Sequence, residues 1–180
     1  AQLPSSQQRL GGTRSPSDLV LSARERERAG CIPEAIEQYE AAIAQAEASG
    51  PRAVLAEAMR RLGALRYKRD ECAEGRDLCN RSYEVARDIG NALLAGEALN
   101  TLGVMLLRDG VLKDARETLL RAVELGGGNR ELLARVEQNL GTIASIRGDL
   151  DDARDRYSLS LEAFTSANDE HGCALAYHNL

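Results

Sequence analysis

The residues of this chain that could do chemistry are two histidines, four cysteines and a cluster of aspartates. His171 and His178 lie seven residues apart, and no cysteine or carboxylate stands at metal-ligand spacing from them. The cysteines form neither a CxxC pair nor the spaced pattern of a zinc site; they are Cys31, Cys72, Cys79 and Cys173. We therefore expect reduced cysteines, packed in the core at positions 72 and 79, and no bound metal.

The aspartates follow a glycine and suggest a calcium loop at first sight. They are Asp149, Asp151 and Asp152, directly after Gly148. They lack the twelve-residue ligand pattern of such a loop, and acidic residues are expected in the first turn of a helix because the helix dipole is positive there. The sequence also has no phosphate-binding loop and no nucleophile elbow. It thus predicts a protein that is not an enzyme and needs no cofactor.

The elements that must position any binding residues are indicated by an internal repeat. The turn residues Gly30, Asp70, Gly110 and Gly148 follow one another at intervals of 40, 40 and 38 residues. A small residue stands five positions after each turn and another stands seven positions before it. A period of this size predicts a solenoid whose units bury their apolar faces only against their neighbours.

Helix boundaries follow from residues that begin or end helices. Residues 1–14 are rich in Gln, Ser, Gly and Pro and are predicted to form a disordered leader, and order is predicted from Ser15, an N-cap followed by Pro16 and Asp18. The predicted helix pairs are 16–28 with 32–48, 51–68 with 71–88, 91–108 with 111–125, and 129–146 with 150–167, and a ninth helix starts near 170. The solenoid would span 15–180, in units of about 16–50, 51–90, 91–128 and 129–168 with a partial fifth at 169–180. Left-handed helix ends are expected at Gly50, Gly90, Gly128 and Asn168.

A glycine recurs at the same repeat position inside three predicted helices, where each costs about 1 kcal/mol relative to alanine. These glycines are Gly63, Gly103 and Gly141. We expect each to let the second helix of its pair approach closely, at Gly75, Ala115 and Ala153 respectively. A large side chain at either partner would then overpack the pair.

Composition limits the class of protein. Hydrophobic residues make up 43% of the chain, aromatic residues only 3%, and the net charge is −5. No apolar run approaches a membrane span, no signal peptide is visible, and the negative charge argues against nucleic acid as a partner. We expect a soluble, cytoplasmic protein. Because nearly all its basic residues are arginines, a bacterial origin with a GC-rich genome is favoured.

The repeat strings resemble a known family. The segments LGALRYKRDECAEG, LGVMLLRDGVLKDA and LGTIASIRGDLDDA recur in register, and they are similar to the tetratricopeptide repeat over roughly residues 16–180. The resemblance implies an all-α, right-handed α-solenoid of antiparallel helix pairs with about four and a half units. The units are longer than the standard of about 34 residues. In this lengthened form they resemble the repeats of the LGN and kinesin light chain scaffolds and of bacterial signalling regulators.

The resemblance also implies a binding surface, because in this family the first helix of each pair lines a concave groove. Twenty positions assigned to that groove carry six basic and three acidic residues, so an acidic segment would be attracted, although ordinary solvated helix faces would give the same pattern. An asparagine before the motif leucine could bond a peptide backbone or, with equal weight, the neighbouring helix. The candidate peptide-binding residues are Arg60, Tyr67, Lys68, Asn100, Arg108, Arg135, Gln138, Asn139, His178 and Asn179.

Two functions fit these features. The first is a non-enzymatic scaffold that holds a peptide or protein segment, preferentially acidic, in the concave groove. The alternative is a regulatory or sensory domain of a larger bacterial signalling enzyme or transcription regulator. The last helix has no partner among the 180 residues, so we also expect a glycine or alanine to follow Leu180 in the gene, and self-association through the apolar surface of residues 174–180.

Overall fold

The computed structural model describes residues 14–126 and 128–180. Helices occupy most of this part of the chain, each within one residue of the predicted bounds: α1 (Pro16–Arg28), α2 (Ile32–Ser49), α3 (Arg52–Lys68), α4 (Cys72–Asp88), α5 (Ala92–Arg108), α6 (Leu112–Gly126), α7 (Arg130–Arg147), α8 (Leu150–Ser166) and α9 (Glu170–Asn179). Successive helices pack as antiparallel pairs, so the predicted all-α solenoid is confirmed. The predicted leader lies outside the described residues except at its last position.

Side chains and turn residues fix where the helices begin and end. The Ser15 hydroxyl accepts a hydrogen bond from the Asp18 amide at 3.2 Å, and the Asp18 carboxylate accepts one from the Ser15 amide at 3.2 Å, which is the predicted start of α1. The four repeat turns pass through left-handed residues, with φ of 77° at Gly30, 67° at Asp70, 78° at Gly110 and 82° at Gly148. Asp70 adopts this conformation without being glycine, which an aspartate tolerates better than most residues.

Of the four predicted left-handed helix ends, two are correct and one is wrong, and the fourth, Gly128, directly follows residue 127, which lies outside the described residues. Gly90 has φ of 67° and Asn168 has φ of 56°. Gly50 instead is extended, with φ of −89° and ψ of 174°. The cause is local: Pro51 follows, and its ring disfavours helical conformations of the preceding residue.

The helix pairs approach closely at the glycines, as the repeat predicted, and the close contacts fall on two positions of the second helix, one turn apart. A Cβ on Gly63 would stand 2.7 Å from the Gly75 carbonyl oxygen, the predicted partner, and also 2.7 Å from the Cys79 sulfur, four positions further on. In the next two pairs, the nearest atoms belong to Leu119 and Tyr157, each 2.7 Å from the Cβ position of Gly103 and Gly141. These residues lie four positions beyond the expected alanines, one turn further along the same helix face.

Buried serines add a polar contact within two of the pairs. The Ser82 hydroxyl of α4 donates to the Ala56 carbonyl of α3 at 2.7 Å, and the Ser160 hydroxyl of α8 donates to the Ala134 carbonyl of α7 at 2.8 Å. Ala122 takes the corresponding place in α6 and is fully buried. The remaining core is mostly alanine and leucine, which suits close helix packing.

The odd-numbered helices form one continuous layer. Each of α1, α3, α5 and α7 contacts the next odd-numbered helix, whereas no two even-numbered helices are in contact within the described residues. The odd-numbered layer therefore lies on the inside of the array, and we call its exposed surface the inner face. Among the described helices, none combines the length and apolar character that crossing a membrane requires.

Candidate functional site

An ion network joins three neighbouring helices at the centre of the inner face. The Glu97 carboxylate of α5 accepts from Arg60 of α3 at 2.9 Å on one oxygen and from Arg135 of α7 at 2.9 Å on the other. The exposed fractions of these side chains are 18% for Glu97, 11% for Arg60 and 40% for Arg135. Two of the predicted peptide-binding cations therefore already share a carboxylate of the chain itself.

The charges in this network control each other's ionisation. Burial raises the pKa of Glu97, but attraction to Arg60 and the hydrogen bond from Arg135 outweigh it, so the pKa ends below its usual value. Burial lowers the pKa of Arg60, and the charge of Glu97 opposes that effect. Glu97 is thus held as an anion between two cations at neutral pH.

A second network connects the first two units. Arg61 lies 3.0 Å from Glu57 and 3.5 Å from Glu27, and Glu57 also lies 3.6 Å from Arg24 of α1. The hydroxyl of the buried Tyr39 donates to Glu27 at 3.0 Å. Burial and the charge of Glu27 raise the pKa of Tyr39. The glutamates of the inner face were assigned to the groove from sequence, but their pairing with arginines of adjacent repeats was not foreseen.

Tyr67 lies between helices and not on an open surface. The residue is only 8% exposed, and its hydroxyl is 3.0 Å from the Met105 carbonyl oxygen and 2.5 Å from an Asp109 carboxylate oxygen. Burial, together with the hydrogen bond and charge of Asp109, raises the pKa of Tyr67 to about 12. The side chain joins α3 to α5, so we leave it out of the binding surface proposed below.

Two asparagines of adjacent repeats meet on the inner face. The Asn139 amide of α7 donates to the Asn100 carbonyl oxygen of α5 at 3.0 Å, and both side chains are half-buried. Bonding to the neighbouring helix was one of the two interpretations of Asn139 from sequence. Gln138, beside Asn139, is also half-buried.

The remaining predicted site residues lie at the edges of the inner face. Lys68 and Arg108 are exposed at the last helical positions of α3 and α5, and neither has an ion-pair partner within the described chain. Positive charge at a helix C-terminus also complements the helix dipole. His178 and Asn179 are exposed at the end of α9, and no side-chain hydrogen bond ties them to other described residues.

The repeat assignment is supported by comparison with known proteins. A tetratricopeptide repeat model matches residues 54–126 and 96–166, which together span more than half of the chain. This chain belongs to the tetratricopeptide repeat family. No curated protein matches it. Members of the family generally bind other proteins.

Solved structures share the fold of this tetratricopeptide protein at low sequence identity. BtubC (BKLC) from P. vanneervenii matches with a TM-score of 0.70 and 17% identity, over 85% of this chain and 64% of that one. The apo form of RapI matches with a TM-score of 0.66 and 16% identity, over 89% of this chain and 45% of that one. The chain thus spans less than two thirds of the length of either structure.

Proposed function

We propose that this chain is a non-enzymatic interaction module that binds an extended segment of a partner protein along its inner face. The family's general role in protein binding supports the class of function. The layer of odd-numbered helices supports the location, because it offers one surface that runs across successive repeats. That the bound segment is extended and lies at this surface is inferred from the side chains found there.

The observation that carries the proposal is the pair Asn100 and Asn139. An amide side chain has two N–H donors and one oxygen with two acceptor sites. The single bond between the pair uses one donor of Asn139 and one acceptor site of Asn100. What remains includes both acceptor sites of Asn139 and both donors of Asn100, which match the unpaired C=O and N–H groups of an extended peptide.

The surroundings of the pair suggest what such a segment would carry. Apolar side chains of the inner face lie nearer the turn end of α5 and α7, among them Val104, Leu107 and Ile146, the last 58% exposed. Lys68 and Arg108, at the turn ends of α3 and α5, lie at the same edge of the inner face. A segment that carries both an apolar residue and acidic ones would complement this edge.

The proposal is tested with a displayed library of random dodecapeptides selected on the 180-residue chain. The selected peptides are then measured by fluorescence anisotropy on Asn100→Ala and Asn139→Ala. Loss of one neutral hydrogen bond costs roughly 1 kcal/mol, so we expect affinity to fall about fivefold in each variant. Asn80→Ala is the control, because Asn80 is an exposed asparagine on α4, an outer helix. Affinity that falls for Asn80→Ala but is unchanged for both inner-face variants would refute the proposal.

A further inference from the structure

The carboxylate of Glu97 lies between two cations, neither of which belongs to its own helix. Both cations come from neighbouring repeats, Arg60 from α3 and Arg135 from α7, and each donates to a different oxygen. Without Glu97, the two guanidinium groups would stand together with no anion between them, which is costly because the Arg60 side chain is only 11% exposed. A carboxylate between the two guanidinium groups is therefore favourable, whether the chain or a ligand provides it.

Two guanidinium groups share this one carboxylate. A guanidinium carries five N–H donors, and the Nε atoms of Arg60 and Arg135 are both buried with no hydrogen-bond partner among the described residues. Arg135 keeps 40% of its side chain exposed, so the site opens to the inner face on that side. Once Glu97 is replaced, a carboxylate from solution could reach the two guanidinium groups there.

The corresponding glutamate of the preceding repeat is arranged differently. Glu57 stands 40 residues before Glu97 in the repeat, but its nearest cation is Arg61, one turn away on the same helix. That pair is held within α3 whatever its neighbours do. Glu97 has no such cation on α5 within bonding distance and connects only to other repeats.

We propose that Glu97 is a specificity-determining residue of the inner face, a resident carboxylate that holds the place between Arg60 and Arg135 which an acidic side chain of a ligand would otherwise take. It makes the centre of the inner face reject acidic residues, and acidic residues of a bound segment are directed to Lys68 and Arg108 at the edge. This role rests on the proposed function, because it too assumes that the inner face is the surface that binds the ligand.

The anion site between the two guanidinium groups is tested by replacing Glu97 with alanine and supplying the lost group in solution. Glu97→Ala removes the atoms that correspond to acetate, so acetate should bind between the two arginines and stabilise the variant. Acetate at ten times its dissociation constant would raise the folding equilibrium constant about elevenfold. We expect urea unfolding of Glu97→Ala to require more denaturant in sodium acetate than in sodium chloride of equal concentration. The parent chain and Glu97→Ala/Arg135→Gln should show no such difference. Equal behaviour of Glu97→Ala in the two salts would overturn the inference.

The competition with ligand is tested with hexaglutamate as the probe, on Glu97→Gln, which keeps the shape of the side chain and loses its charge. We expect Glu97→Gln to bind hexaglutamate about tenfold more tightly than the parent, the gain from one hydrogen bond to a charged group, with a steeper dependence on salt. A merely structural role of Glu97 would lower stability and leave this affinity unchanged, which would also overturn the inference. If Glu97→Ala does not fold in chloride, recovery of helical circular dichroism in acetate serves as the first readout.

The two proposals fail separately in these experiments. If acetate has no effect while library peptides still depend on Asn100 and Asn139, the proposed function stands and the role of Glu97 is overturned. If acetate stabilises Glu97→Ala and Glu97→Gln gains hexaglutamate affinity, but library peptides depend only on outer-face residues, the role of Glu97 stands and the proposed function fails.

Discussion

Replacing Gly63 with alanine tests whether backbone contact holds the second helix pair together. The added Cβ would lie 2.7 Å from the Gly75 carbonyl oxygen, 2.7 Å from the Cys79 sulfur and 3.2 Å from the Leu78 Cβ. The carbonyl oxygen and a Cβ cannot rotate away, so α3 and α4 must separate. Overpacking that the backbone cannot relieve costs about 3 kcal/mol, the upper end of the usual range.

Alanine also favours the helix over glycine by about 1 kcal/mol. The expected net loss for Gly63→Ala is therefore about 2 kcal/mol of unfolding free energy. In a chain of this size, that lowers the thermal midpoint by about 4 to 8 °C. Gly103→Ala should lose less, because its Cβ meets the side chain of Leu119, which can shift, and not a carbonyl group at that distance.

Urea unfolding followed by circular dichroism measures these differences, with equal slopes required for the comparison. Gly128→Ala is the matched control, since no atom outside its immediate neighbours lies within 4 Å of its Cβ position. We expect a change within about 0.5 kcal/mol there. Stability of Gly63→Ala equal to the parent, or a larger loss for Gly103→Ala than for Gly63→Ala, would refute the account of close packing.

Three further outcomes are expected. The pKa of Tyr67 is raised from 10.0 to about 12 in the folded chain, so the stability that this hydroxyl contributes is complete below pH 10 and is lost as the pH rises toward 12. The fall in unfolding free energy at alkaline pH should therefore be smaller in Tyr67→Phe than in the parent. Identical pH profiles of the two chains would contradict this. Lys68→Ala/Arg108→Ala should weaken binding of acidic library peptides and flatten its dependence on salt, whereas Lys113→Ala/Arg116→Ala on the outer helix α6 should change neither. The exposed Leu175 and Tyr177 of the last helix, with the exposed Leu180 directly after it, should cause concentration-dependent self-association in light scattering. The variant Leu175→Glu/Tyr177→Glu should abolish this association, and an association that persists in it uses another surface.

The fold could be predicted closely because each helix boundary is set by residues near it in sequence. A left-handed glycine or aspartate ends a helix wherever it stands, and the capping pair Ser15 and Asp18 begins one without help from the rest of the chain. The error at Gly50 has the same local character, since the proline after it decides its conformation. The contacts of Gly103 and Gly141 with Leu119 and Tyr157 were not predicted, because the spacing of small residues does not tell how far the larger side chains one turn further on reach across the interface.

The site was harder to predict because its interactions join residues of different repeats. The repeat register placed Arg60, Glu97 and Arg135 on one surface, but they lie 37 and 38 residues apart along the chain. Whether such residues touch depends on how far each repeat is rotated relative to the last. A count of charges at the groove positions could not tell a free arginine from one already bound to a glutamate.

The same limit explains why Tyr67 was assigned to the groove. Its Cα lies in the register of the inner face, one position before the exposed Lys68, but the ring is long enough to reach Met105 and Asp109 of the next repeat. Short side chains stay where the register places them, so Asn100 and Asn139 were found at the surface. Long side chains between stacked repeats bond to residues across the interface when these are in reach, because burying a hydroxyl or guanidinium group costs free energy unless the group is hydrogen-bonded. In an array of this kind, the polar groups still available to a ligand are those that the next repeat fails to satisfy, and among the described residues we propose that these are the asparagine pair and the cations at the edge of the inner face.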